Sequence, residues 1–341
     1  MNAKNKKRFI IFGGAGFLGQ HLARAILESS AESKVVILDL APNPQPFISF
    51  DGNSRVEFRW GRDITDPKTY KKDLEEGADA LFNLAGFISF WSRHRKKMFE
   101  VNIEGVRKLC ETALRSGIPK LVHISSVAAI GFTDDPANPA DEKMAFAEEK
   151  FKNRIYMFSK YQGEKEALGF ASKGMEVVSV NPGLLYGPGE KGAVLTLFRN
   201  ISTGRLKLYP TGGTGIVDVR DAAKGVLLAF LKGKNSERYI LNGHNLSFRE
   251  VTSLIAKTLG KKPLSKPVPR ISRIPLGIFL SVTERFRKNP PDLTAESFEF
   301  CFRFRYYSSA KAEKELGWKA EIPLEKTIAD TADWYRNAGL L

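Results

Sequence analysis

Residues 8–30 read RFIIFGGAGFLGQHLARAILESS, an apolar β-branched run, a glycine-rich loop and a helical pattern in direct succession. Glycines at 13, 16 and 19 give the spacing G-x-x-G-x-x-G. In such a loop the first glycine permits the tight turn, the second lets backbone approach a pyrophosphate, and the third lets the helix pack on its strand. The helix then presents free N–H groups and the positive end of its dipole to the phosphates. The spacing alone is weak evidence, but strand before and helix after are the context a dinucleotide site requires. Gly13, Gly16, Phe17, Leu18 and Gly19 are the expected phosphate-side contacts. Asp39, twenty residues beyond Gly19 at the end of KVVILDL, is placed to hydrogen-bond an adenosine ribose.

The same alternation continues. VEFRWGRD, ADALFNLAG, KLVHISS and EVVSVNPG are expected strands three to six, with a helix over FEVNIEGVRKLCETALRSG. Near-continuous apolar strands separated by helices imply an α/β fold, a Rossmann-type doubly wound parallel sheet with helices on both faces. After Pro182 the rhythm changes: YGPGE (186–190) and TGGTG (211–215) suggest turn-rich loops, DVRDAAKGVLLAFL a helix, RYILNG a strand, and SFREVTSLIAKTLG a helix capped by its serine. Helical patterns return in SSAKAEKELGW and PLEKTIADTADWYRNAG. The expected organisation is a dinucleotide-binding domain over 1–182, with returns from about 216–243, and a smaller, interleaved substrate lobe over 183–341.

The chain has 341 residues, 43% of them hydrophobic, and a net charge of +15. Two cysteines form no disulfide framework and suit a reducing, cytoplasmic setting. Four histidines without ligand spacing argue against a metal. The N-terminus lacks the pattern of a signal peptide, and no apolar run reaches the length of a transmembrane helix. The positive charge suits an anionic substrate or membrane. Without a basic-aromatic module, nucleic acid is not an expected partner.

Chemistry is suggested by NRIYMFSKYQGEKEAL (153–168), where Tyr156 and Lys160 stand one helical turn apart. A tyrosine titrates near pH 10, and a neighbouring cation favours its phenolate. Ser125 and Ser126 close the fifth strand, at the sheet end where ligands of parallel sheets sit. Ser126 could hold a substrate oxygen that Tyr156 protonates or deprotonates.

Together GGAGFLG, GRDITD, NLAG, VNIEGV, ISSVAAIG, YMFSKYQGE, NPGLLYGPG, DVRDAAKG and SSAKAEKELGW resemble the extended short-chain dehydrogenase/reductases, the NAD-dependent epimerase/dehydratase superfamily, over nearly the whole chain. The resemblance implies Ser126, Tyr156 and Lys160 as catalytic residues, Ser126 rather than Ser125 because it stands five residues before Gly131. It also implies Asp63 and Ile64 near adenine, Ala85, Gly86, Tyr156 and Lys160 along the cofactor, Asn102 on the supporting helix, and Pro182 to Leu185 near nicotinamide. Two positions depart from the pattern. Ile130 replaces a frequent tyrosine, and Thr214 stands where nucleotide-sugar members often carry an arginine. The stretches around FISFWSRHRKKMFEVNIEGV and NPPDLTAESFEFCFRFRYYSSAKAEKELGW are similar to the dihydroflavonol-reductase-like and 3β-hydroxysteroid-dehydrogenase-like branches.

The leading expectation is therefore an NAD(P)-dependent oxidoreductase interconverting alcohol and ketone on an apolar, ring-bearing small molecule, with Phe87, Phe90 and Trp91 as pocket walls or as ordinary packing. A nucleotide-sugar epimerase or dehydratase and a non-catalytic dinucleotide sensor are the alternatives. NAD is favoured over NADP because Asp39 would repel a 2′-phosphate and Leu40 to Pro46 carry no base; Arg55 is the nearest one downstream. RISRIPLGIFLSVTERFRK (270–288) brackets an apolar stretch with five cations. It is expected to be a peripheral contact with an anionic membrane, a lid over the pocket, or a surface of a homodimer.

Overall fold

The computed structural model describes residues 7–41 and 48–341, apart from the side chain of Arg270. Eleven strands occur among the described residues: β1 (Arg8–Phe12), β2 (Lys34–Leu38), β3 (Val56–Arg59), β4 (Ala80–Asn83), β5 (Lys120–Ile124), β6 (Glu176–Pro182), β7 (Leu184–Tyr186), β8 (Gly213–Asp218), β9 (Arg238–Leu241), β10 (His244–Ser247) and β11 (Phe304–Arg305). Seven of them form a parallel sheet in the order β3-β2-β1-β4-β5-β6-β9. Alternate side chains of each strand enter opposite cores. Phe9 and Ile11 join Val35, Ile37 and Phe82 on one face; Ile10 and Phe12 join Val36, Leu38 and Leu81 on the other. Burial of both faces explains why the strands read as unbroken apolar runs rather than as alternating ones.

The strand order reverses at β1, whose neighbours are β2 and β4. A crevice therefore opens beyond the carboxyl ends of β1 and β4, where ligands of such sheets collect. Gly13 follows β1, Ala85 and Gly86 follow β4, and Ser125 and Ser126 follow β5. The glycine loop, the loop after β4 and the two serines thus emerge at one end of the sheet.

A second, four-stranded sheet is built around β8. It pairs antiparallel with β10, and parallel with β11 at its start and β7 at its end. Here the structure corrects the sequence reading. Only Thr211 and Gly212 of TGGTG lie in a connection; Gly213, Thr214 and Gly215 lie buried inside β8. A Cβ on Gly215 would stand 2.2 Å from the Asn242 side chain, and one on Gly213 would stand 2.6 Å from the Tyr306 hydroxyl. These glycines mark close approach within a packed strand, a use that sequence does not separate from a turn. The expected serine cap at 247 is present as a full capping box with Glu250.

The helix over 95–115 is continuous but irregular. Regular turns at Arg95–Phe99 and Val106–Arg115 flank a π-helical segment, Glu100–Gly105. Asn102 lies in that segment, against the helix Ile155–Leu168 that carries Tyr156 and Lys160.

Candidate active site

The glycine loop is a cradle without room for side chains. Gly13 has a φ of +77°, and a Cβ there would lie 2.7 Å from the Ala85 nitrogen. A Cβ on Gly19 would lie 2.6 Å from the Gly14 Cα, so helix and loop touch backbone to backbone. Gly16 caps the helix Phe17–Ser29 with no side-chain hydrogen bond. Its first turn, at Phe17 and Leu18, is thus left to backbone N–H groups, the donor set that suits a pyrophosphate. The Asp39 carboxylate lies over this loop, accepting hydrogen bonds from the backbone N–H of Ala15 at 2.9 Å and of Leu40 at 2.8 Å. Burial raises its pKa, and those backbone bonds oppose the rise. The residues present therefore fit a dinucleotide.

The other expected cofactor contacts are less uniform. Ala85 and Gly86 lie in the crevice, with a Cβ on Gly86 falling 3.6 Å from the Lys160 Nζ. Asp63 turns its carboxylate to Thr65, accepting from its N–H at 2.9 Å and its hydroxyl at 2.8 Å, while Ile64 is buried against Gly105. Pro182 ends β6, and Leu185, in β7, packs on the core.

Asn102 holds the loop after β4 to the Tyr156 helix. Its Oδ1 accepts from the Phe87 N–H at 2.8 Å, and its Nδ2 donates to the Phe87 carbonyl at 2.9 Å and to Ser159 Oγ at 3.0 Å. The end of β5 is fastened separately. Asn181 donates to the Ser126 carbonyl at 3.0 Å and to the buried Glu164, which also accepts from Ser179 and pairs with Arg238. Sequence reasoning did not single out Glu164 or Asn181.

The Ser126 hydroxyl favours the Tyr156 phenolate, and Ser126 Oγ accepts from the Ala128 N–H at 3.2 Å. The adjacent Ser125 is buried with its hydroxyl unpartnered. Tyr156 and Lys160 each keep some surface open, yet protein crowds their polar ends. Burial raises the pKa of Tyr156, and the Ser126 hydroxyl and the charge of Arg305 pull it down. Burial lowers Lys160 to about 8 against the opposing charge of Glu164, and its Nζ donates to the Ile124 carbonyl at 3.2 Å. The expectation that Lys160 would depress the tyrosine is thus revised. Spacing fixes a shared face, but burial decides the titration, and the cation acting on the phenol is Arg305.

Arg305 was missed in the sequence reading because nothing local marks it. It lies on β11 in register with Thr214, over the Phe300 ring at 5.0 Å, with its Nε buried and unpartnered. Arg303, two residues earlier, instead has Asp134 and Glu299 as partners. Of the three aromatic residues expected to wall a pocket, Phe90 meets Tyr156 edge-on at 5.4 Å and Phe300 at 5.9 Å. Phe87 and Trp91 pack against His94 instead. His123 is no proton carrier near neutrality, since burial and the charge of Lys160 lower it to about 3.

Residues 9–242 match the NAD dependent epimerase/dehydratase family. The chain belongs to that family. Similarity extends over the full length. A Synechocystis protein provisionally described as a dihydroflavonol 4-reductase is 29% identical, over 97% of this chain and 95% of its own. Sterol demethylase protein B of Methylococcus capsulatus is 26% identical, over 97% and 99%. The 3-beta-hydroxysteroid dehydrogenase of Mycolicibacterium neoaurum is 24% identical, over 96% and 91%. Among solved structures, gox2253 superposes with a TM-score of 0.82 at 28% identity, covering 99% of this chain and all of that one. The dTDP-glucose 4,6-dehydratase DesIV of Streptomyces venezuelae, solved with NAD, shares the fold at a TM-score of 0.78 and 24% identity over 97% and 98%. As a member of the epimerase/dehydratase family the chain is an NAD-dependent enzyme of the extended short-chain dehydrogenase/reductase type.

Proposed function

We propose that the enzyme interconverts a secondary alcohol and a ketone on an apolar, ring-bearing substrate, sterol- or terpenoid-like, with NAD(H) as its preferred cofactor. The observation that carries this reading is the Tyr156 phenol, acted on by the Ser126 hydroxyl, one helical turn from Lys160 and edge-on to Phe90, which in turn meets Phe300. Nicotinamide dinucleotide, when bound, supplies the hydride acceptor or donor. In the oxidising direction Ser126 holds the substrate hydroxyl and the Tyr156 phenolate takes its proton; in reduction Tyr156–OH returns it. Lys160, beside Gly86, is placed to hold the nicotinamide ribose. The aromatic surroundings favour an apolar substrate, and the sterol-related names among the similar proteins support the same class.

A nucleotide-sugar epimerase or dehydratase would use the same pair. Against it, Thr214 is buried inside β8, with its hydroxyl turned to the Gly215 carbonyl rather than to a diphosphate. The two reactions differ in net redox. A dehydrogenase accumulates reduced nicotinamide, one per substrate consumed, whereas an epimerase returns it each cycle. Absorbance of reduced nicotinamide during incubation with sterols, flavanonols and nucleotide sugars is expected to rise with a ring-bearing alcohol. Turnover of a nucleotide sugar without net reduction would overturn the proposal.

The NAD preference rests on Asp39 and on bases that are occupied elsewhere. Arg55 donates to the carbonyls of Leu27, Ser30 and Ala31 at the end of the first helix. Arg59 and Arg62 are both paired with Asp73. Residues 42–46, which follow in the sequence, lie outside the described residues. A like charge at the ribose costs enough to give NAD at least about a tenfold advantage in kcat/KM. Asp39→Ala is expected to narrow that ratio, chiefly by relieving NADP. A wild-type preference for NADP, or an unchanged ratio in the variant, would remove Asp39 as the discriminator.

A further inference from the structure

The helix Arg273–Glu284 stands almost outside the protein. Of its twelve residues only Glu284 is buried, where it accepts from the Ala295 N–H and turns the chain into the next helix, Ala295–Phe300. Eight of the fourteen large apolar side chains exposed among the described residues fall within 271–293. Ile274, Ile278 and Val282 recur at intervals of four, so they share one face of the helix, with Phe279 at its edge and the exposed Ile271 and Phe286 flanking its two ends. Their exposures are not marginal: 87% for Ile271, 73% for Ile274, 60% for Phe279 and 82% for Phe286. A continuous apolar surface of this kind on a folded chain marks an interaction site.

Charge identifies what covers it. Arg285, Arg287 and Lys288 follow the helix, all exposed and none with an acidic partner among the described residues. Lys261, Lys262 and Lys266, also exposed, precede it in the chain. The one exposed acid in 271–293 is Asp292. A second copy of this chain would offer the same cations to the same surface, with too few acids to meet them. An anionic lipid surface meets both features, with acyl chains under the apolar face and headgroup phosphates beside the cations. At about 1.5 Å per residue the helix is far too short to span a bilayer, so it would lie in the interface.

We propose that Arg273–Glu284 and the basic residues after it dock the enzyme peripherally on an anionic membrane. The docked helix adjoins the site. Arg93 donates to the Arg285 carbonyl at 2.5 Å, and Arg93 belongs to the loop whose Phe90 meets Tyr156. The catalytic crevice is thereby tethered beside the lipid phase. The proposal stands on the surface alone and does not depend on which substrate the site takes.

Vesicle co-sedimentation of the full chain tests it, with phosphatidylcholine vesicles and with vesicles containing about one-third phosphatidylglycerol, at low and high salt. The wild type is expected to bind the anionic vesicles at least about tenfold more tightly than the neutral ones, and high salt to remove the difference. Arg285→Glu/Arg287→Glu/Lys288→Glu is expected to weaken anionic binding by about 100-fold or more. Ile274→Asp/Phe279→Asp should weaken binding to either vesicle. Both variants change only exposed side chains and should keep wild-type thermal unfolding and cofactor binding. Absence of preferential anionic binding in the wild type would overturn the proposal, as would full binding by both variants. Sedimentation velocity without lipid completes the test. If Ile274→Asp/Phe279→Asp dissociates a stable dimer and the wild type ignores vesicles, the face belongs to a second copy.

Discussion

Tyr156→Phe lowers turnover by about 10²–10⁴-fold and leaves dinucleotide affinity unchanged. The substitution keeps the ring, and with it the 5.4 Å edge contact to Phe90, and removes only the titrating oxygen. Steady-state kinetics, together with cofactor titration by fluorescence, check both halves of the expectation. Near-normal turnover would dismiss Tyr156 as the proton carrier. Arg305→Met gives a second view of the same group. Oxidation needs the phenolate, so its rate climbs as pH rises through the tyrosine pKa. Burial holds that pKa above its ordinary value and Arg305 pulls it down. Loss of the cation therefore moves the rising limb of kcat/KM to higher pH. A limb that stays in place would show that Arg305 does not tune Tyr156.

Gly163→Ala is expected to be the most damaging single methyl in the chain's catalytic half. The residue lies on the buried face of the Tyr156 helix, where a Cβ would stand 2.0 Å from the Asn102 carbonyl oxygen. The obstacle is backbone, so no side-chain rotation relieves it, and the two helices must separate. Overpacking costs about 1–3 kcal/mol, and a clash with backbone puts this case at about 3 kcal/mol. In a chain of this size the melting temperature should fall by about 4 °C. Because Asn102 also bonds Ser159 and the Phe87 backbone, activity should drop further than unfolding alone explains. Scanning calorimetry and turnover well below the transition measure the two effects separately. A melting temperature within a degree of wild type would mean that the close contact is not rigid.

Much of the dinucleotide half was legible because its signals are local. RFIIF, the three glycines and Asp39 are fixed by strand burial, backbone crowding and chain spacing, and each of these leaves a mark within some thirty residues. The small sheet was not. Glycine serves tight turns and close strand packing alike, so TGGTG gave no hint that Gly213 and Gly215 face Tyr306 and Asn242 across β8. Arg305 was invisible for a related reason. Its place beside Tyr156, some 150 residues earlier, arises only when β11 pairs with β8. The Tyr156–Lys160 pair shows the opposite limit. Helical spacing placed both residues correctly on one face, yet it says nothing about how many neighbours crowd them, and crowding governs their protons.

The π-helical segment at Glu100–Gly105 has a consequence for how this chain tolerates length changes. Each of its turns takes up an extra residue, so the helix before it is rotated by roughly 100° relative to an unbroken one. Met98 is buried on the near side, and Val106, Leu109 and Cys110 are buried on the far side. Removing one residue between 100 and 105 would produce a more regular helix and a worse protein. Either Met98 would swing away from its packing, or Asn102 would lose its aim at Phe87 and Ser159. The segment acts as a phase corrector, in which a locally imperfect helix keeps two otherwise incompatible faces pointed at their separate neighbours.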